Sequence, residues 1–211
     1  MGKYLIGLAA LIILLGGGYY LWDGMNAEPL PEEPIIQEPQ TLTFASSTLG
    51  ISLTYPSDFT LNPMYAYDQF GADKLIHGVS FTIPASMATG TNLASDTYLS
   101  IETLPRANRC TGDIFLLANV RAEEIVDGGM EWALASSTEV AVDNIYEEYV
   151  YALVDSKPCL AVRYFVHSSN IGAFEPGAVR EFDRSILLSA FDSIRRSLIL
   201  GAAPATTTST F

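Results

Sequence analysis

Positive charge is scarce in this 211-residue chain: 11 Lys and Arg stand against 24 Asp and Glu, a formal net charge of −13. A surface of that sign repels phosphate backbones and anionic lipid, which argues against nucleic-acid binding and leaves cations, basic surfaces and neutral molecules as ligands. The same charge also serves simply to keep a domain soluble. Imidazole is scarcer still. With His77 and His167 alone, a three-histidine zinc site is impossible. The two cysteines, Cys110 and Cys159, are 49 positions apart, so the C-x-x-C spacing that favours dithiol redox chemistry is absent. Absent too are G-x-S-x-G, H-E-x-x-H, the P-loop, G-x-G-x-x-G and the EF-hand loop. No cofactor, metal site or catalytic signature is therefore expected.

Against these absences stands one long apolar run. Residues 4–22 contain no charged side chain, with Lys3 before them and Asp23 directly after. A run of that length spans the bilayer hydrocarbon as a helix. Lys3 and the amino terminus form the positive flank, whereas Asp23, Glu28, Glu32, Glu33 and Glu38 follow with no Lys or Arg among them. This asymmetry predicts a single pass through the cell membrane, amino terminus cytoplasmic and everything after Trp22 outside. A cleaved signal peptide would need small residues after a shorter apolar stretch. Here Gly16, Gly17 and Gly18 lead into Tyr19, Tyr20, Leu21 and Trp22, an aromatic belt suited to the headgroup layer, which favours an uncleaved signal anchor over residues 1–22.

Residues 23–40 alternate Pro29, Pro31, Pro34 and Pro39 with acids and read as an extended stalk, at about 3 Å per residue a spacer of up to ~55 Å. Residues 41–200 are enough for one extracytoplasmic globular domain, and residues 201–211 read as a disordered tail. On the oxidising side of a membrane, Cys110 and Cys159 are expected as a disulfide. Closing that loop is worth roughly 4 kcal/mol in the chain-entropy model.

Two-residue alternation predicts strands at 41–45, 50–55, 75–83, 97–104, 120–126, 130–136, 145–154 and 159–167, with a short helix at 113–118. Asp127-Gly128-Gly129 and Asp155-Ser156-Lys157-Pro158 read as hairpin connections. Val179, Phe182, Ile186, Leu187, Ala190, Phe191, Ile194 and Leu198 recur at three- and four-residue steps, predicting a helix after Pro176 that Gly201 terminates. Of the last hairpin's two faces, the one bearing Ile145, Tyr149, Tyr151, Leu153, Leu160, Val162, Tyr164 and Val166 is expected to meet this helix.

Residues 50–59, Gly-Ile-Ser-Leu-Thr-Tyr-Pro-Ser-Asp-Phe, resemble the opening of PsbP-like domains, and residues 191–198, Phe-Asp-Ser-Ile-Arg-Arg-Ser-Leu, are similar to how those chains finish. The resemblance implies an α+β fold: an antiparallel sheet with a C-terminal helix packed on it, an α/β/α sandwich used for docking rather than catalysis, here preceded by one transmembrane helix. It transfers no functional residue. The stalk, anchor and cysteine pair depart from the photosynthetic members.

One cluster of residues carries a site expectation. If Val154 faces Cys159 in the last hairpin, Tyr146 lies opposite His167 and Glu148 diagonal to Arg163, all on one face beside Val150, Ala152, Ala161 and Phe165. Carboxylate, guanidinium, imidazole and phenol together suit a polar ligand; the simpler reading is a cross-strand Glu148–Arg163 pair at a sheet edge, with His167 ending its strand near solvent. Glu123-Glu124 and Glu147-Glu148 are adjacent strand residues facing opposite ways, so neither doublet acts as a unit. Two functions follow as expectations. The first is a membrane-anchored binding or interaction domain for a protein or envelope partner, without enzymatic activity. The second is an anchored envelope hydrolase using Glu148 and His167 as acid-base groups.

Overall fold

The computed structural model describes residues 40–201. The expected anchor, nearly all of the stalk and the C-terminal tail lie outside the described residues. Among the described residues no helix is long and apolar enough to cross a membrane.

In chain order the elements are β1 (Thr41–Ser46), β2 (Ile51–Pro56), β3 (Thr60–Tyr67), β4 (Ile76–Thr82), α1 (Ala85–Ala88), β5 (Tyr98–Leu104), β6 (Glu123–Asp127), β7 (Met130–Ala141), β8 (Asn144–Leu153), β9 (Cys159–Ser169), α2 (Arg184–Arg196) and β10 (Ile199–Leu200). Seven strands form an antiparallel sheet in the order β3-β4-β5-β9-β8-β7-β6, and β1-β2-β10 form a small second one. The large sheet is two meanders, β3 to β5 and β6 to β9, joined where β5 pairs with β9. Hairpins build each meander from neighbours in sequence, whereas the seam joins strands some sixty residues apart, Ser100 opposite Arg163.

One face of the large sheet meets α2 and the small sheet. Leu99, Ile101, Leu160, Val162, Tyr164 and Val166 pack there against Leu187, Phe191, Ile194 and the β2 residues Ile51, Leu53 and Tyr55. The face expected to meet the helix does so. The C-terminal end of α2 is pinned by Arg195, whose Nε donates to Tyr164 Oη at 2.8 Å and whose guanidinium lies 4.1 Å from the Tyr151 ring centre and ion-pairs with Asp127 and Asp192.

The other face is paved with small side chains, Ala135, Ala152 and Ala161 beside Val150. They leave room for the β5–β6 connection to lie directly on the strands. Gly112 makes that approach possible: a Cβ there would stand 2.2 Å from Val150 O and 2.7 Å from Ala135 N. Phe115 fills the space beside it, fully buried, and the Cys110–Cys159 disulfide ties the connection to β9.

Several expectations are corrected. The second helical layer of an α/β/α sandwich is not what covers this face; the connection does, with a single 3-10 turn at Gly112–Phe115 where a short helix over 113–118 was expected. Strand β3 is an addition. Its Pro63 sits on the outer strand at a bulge between Asn62 and Tyr65, where a missing N–H leaves no ladder bond broken. Strand β7 runs to Ala141, five residues beyond Ser136, to a tight turn in which Val142 takes φ 57° without the glycine that would have marked it. Helix α2 begins at Arg184, not near Val179. The backbone of Arg180 and Phe182 is held extended by Gly90 and Asn92, and Asp183 caps the helix by accepting from the N–H groups of Ser185 and Ile186. After Ser197 the chain returns to pair Ile199 and Leu200 with β2, so Gly201 ends a strand rather than the helix.

Candidate functional site

The register of the last hairpin places Tyr146 opposite His167 and Glu148 opposite Phe165. All four expected site residues share the face of the sheet that carries the alanines, yet they do not form one site. Arg163 lies at the seam between the meanders, on the central strand, fully buried. Its main partner is Glu102 of β5, bound twice: Nε to Oε1 at 2.8 Å and Nη2 to Oε2 at 2.9 Å. Nη2 also donates to Phe115 O at 2.8 Å, so the covering loop is read by the same guanidinium. Glu148 Oε2 lies 3.1 Å from Nη1, out of line for a hydrogen bond, and the Tyr67 ring stacks over the guanidinium at 3.7 Å.

Two carboxylates thus share one cation, and phenols and a hydroxyl supply the remaining donors. Ser100 Oγ donates to Glu102 Oε1 at 2.7 Å, Tyr65 Oη donates to the same oxygen at 3.2 Å, and Tyr98 Oη meets Tyr65 Oη at 2.9 Å. Tyr67 Oη donates to Glu148 Oε1 at 2.9 Å. Burial pushes the phenols of Tyr65, Tyr67 and Tyr98 well above the usual tyrosine range, so all three stay protonated as donors. Burial opposes the charge on Arg163, and Glu102 more than offsets it, so the guanidinium is held firmly cationic. Burial also raises the Glu148 carboxyl; Arg163 and the Tyr67 hydroxyl pull it back only in part.

His167 belongs to a different set. Its Nδ1 lies 2.8 Å from Asp96 Oδ1 and its Nε2 3.1 Å from Asn144 Oδ1. The Tyr146 ring stacks on the imidazole at 4.4 Å, and Phe165 stacks in turn on Tyr98 at 4.9 Å. No hydrogen bond joins Glu148 to His167 among the described residues.

Between these groups opens a cleft of about 690 Å³, bounded by Tyr67, Tyr146, Phe165 and Glu148, by Ser137 and Thr138 of β7, and by Leu117 and Ala118 of the covering loop. Two of the expected residues, Tyr146 and Glu148, line it; Arg163 lies beneath it and His167 beyond the Tyr146 ring. Such a surface offers flat aromatic faces for stacking and carboxylate and hydroxyl groups for orientation. Glu147, neighbour of Glu148, points to the opposite face and pairs with Arg184 at 2.7 Å. Among the described residues, no three His, Cys, Asp or Glu side chains converge as metal ligands.

No family model matches the chain, and no curated protein matches it. Among solved structures it is similar to a crystal structure from Bacteroides thetaiotaomicron, at 13% identity and a TM-score of 0.42 over 75% of this chain; the chain spans about half, 47%, of that protein's length. It is also similar to the solution structure of the cyanobacterial PsbP (CyanoP) of Synechocystis, at 13% identity and a TM-score of 0.30, over 82% of this chain and 99% of the other.

Proposed function

We propose that the chain is a membrane-anchored binding protein. A single helix within residues 1–22 holds it in the cell membrane with the amino terminus cytoplasmic, residues 23–40 are the stalk, and the domain outside binds a protein or envelope partner in the cleft above Glu148, without a cofactor and without chemistry. The observation that carries this reading is that both candidate acid-base groups are already committed. Glu148 is held by Tyr67 and Arg163, and His167 by Asp96 and Asn144. The aromatic walls beside them stay open, and neither Ser137 nor Thr138 is hydrogen-bonded to an activating base among the described residues. A neutral or cationic partner group suits a cleft whose charged lining residues are Glu139 and Glu148.

The test uses the full-length chain in nanodiscs with purified envelope polymer. The proposal expects retention of the chain on the polymer, weakened by Tyr146→Ala and Phe165→Ala, and no soluble product at any pH. Product release that disappears in Glu148→Ala or His167→Ala would replace it with the hydrolase reading.

A further inference from the structure

A second recess, about 1140 Å³, lies where β4 begins and β5 ends. Its floor is apolar, formed by the half-buried Leu104 and Ile114 with the more exposed Leu75 beside them, and its rim carries Arg106 and Arg109 with His77; no Asp or Glu is among its lining residues. The sign is opposite to that of the cleft above Glu148, and opposite to a chain with a net charge of −13. Arg109 is steadied by Asp113 at 2.5 Å while two-thirds of its side chain stays exposed. Arg106 is exposed and makes no ion pair among the described residues. The segment bearing both arginines is fixed from behind, since the disulfide begins at the next residue, Cys110. The groove is therefore preformed, which lowers the entropy lost on binding.

Charge and shape together select an occupant. Basic groups around an apolar floor call for carboxylates separated by aliphatic side chains. The recess is more open than enclosed, so a small anion or a single-chain amphiphile would leave most of its surface wet, whereas buried small-molecule sites enclose about 70–90% of their ligand. An extended peptide lies along such a groove. An anionic membrane or a nucleic acid presents charge over far more than the Debye length of about 8 Å and meets the repulsion of the whole domain; a short acidic segment meets chiefly the groove. We infer that this groove docks an acidic peptide segment of a partner protein, its carboxylates on Arg106 and Arg109 and its aliphatic side chains on Leu75, Leu104 and Ile114. The site is separate from the cleft above Glu148 and stands or falls without it.

The experiment pans a random phage-displayed peptide library on the full-length chain in phosphatidylcholine nanodiscs, then measures one selected peptide by fluorescence anisotropy. The selected pool should be enriched in Asp and Glu interleaved with Leu, Ile and Val. Arg106→Glu should weaken the peptide at least tenfold and Leu75→Asp comparably, Arg106→Lys should stay within about threefold, Tyr146→Ala should change nothing, and rising salt should weaken binding to the unmutated chain. Near-UV circular dichroism checks that each variant is folded, and the salt titration gives an answer that needs no variant. No enrichment over empty nanodiscs, a pool without acids, an affinity indifferent to Arg106 and salt, or Arg106-dependent binding of phosphatidylglycerol vesicles in place of peptide would each overturn the inference.

Discussion

Replacing Arg163 by methionine removes the one cation between two carboxylates and leaves the shape of the core nearly unchanged. The side chain is fully buried, as is Glu102, and the substitution deletes three hydrogen bonds of 2.8, 2.9 and 2.8 Å and the 3.1 Å ion pair to Glu148. Ser100 and Tyr65 remain as donors to Glu102, two neutral groups in place of a bidentate charged one. Removing one partner of a buried pair costs about 3–5 kcal/mol, because the charge left behind has lost its water and its counter-ion. With an m-value of about 2 kcal/mol/M, the urea midpoint of the domain should fall by about 2 M. Near-UV circular dichroism of the full-length chain in detergent micelles follows the transition through its buried aromatics. Adding Glu102→Met removes the more deeply buried of the two stranded carboxylates and should restore at least half of the loss, since two apolar side chains of similar volume pack where the pair had been. A midpoint shift under about 0.5 M for Arg163→Met, or a double variant no more stable than the single one, would refute the view that this pair closes the seam between the meanders.

Other consequences follow from the same geometry. The double substitution Cys110→Ser with Cys159→Ser should cost up to about 4 kcal/mol and open the β5–β6 connection to limited proteolysis before the strands are cut. Gly112→Ala should destabilise by about 1–3 kcal/mol, read as a lower urea midpoint, because its Cβ would meet Val150 O at 2.2 Å. The Glu148 carboxyl is raised by burial, so in the folded state it contributes stability that is complete below the ordinary carboxylate value and is lost as pH rises through its raised one. Glu148→Gln should therefore remove that loss, leaving the wild type relatively weaker at neutral pH than at acid pH when the two are compared by denaturation across pH 3.5–7.

The parts of this fold that were legible in the sequence are those in which neighbours in the chain are neighbours in space. The β8–β9 register followed from one connection and two faces of unequal polarity, and with it came the cross-strand pairing of Tyr146 with His167 and the opposed directions of Glu147 and Glu148. The cysteine pair was legible from redox logic alone. What could not be read was the seam. Nothing local in Tyr98–Leu104 says that Glu102 will lie against Arg163, so the guanidinium was assigned to Glu148 at an open edge instead of to a buried pair on a central strand. Tyr65 and Tyr67 were missed with β3, in which Pro63 and the bulge beside it interrupt the two-residue alternation. A signal for the covered face did exist. Alanines at 135, 152 and 161, with Gly112 and a cysteine just before it, are what a sheet needs when backbone must pack directly upon it. Asp96 and Asn144, which hold His167, lie on a loop and a strand end with no pattern to mark them.

Display outside the cytoplasm is the claim on which the binding account rests, and one thiol tests it. Both cysteines are consumed in the disulfide, and Met64 is 87% exposed on the outer strand of the sheet. A Met64→Cys variant of the full-length chain, treated in spheroplasts with a membrane-impermeant maleimide, is predicted to label fully before lysis. Labelling that appears only after the membrane is broken would place the domain in the cytoplasm and contradict the account.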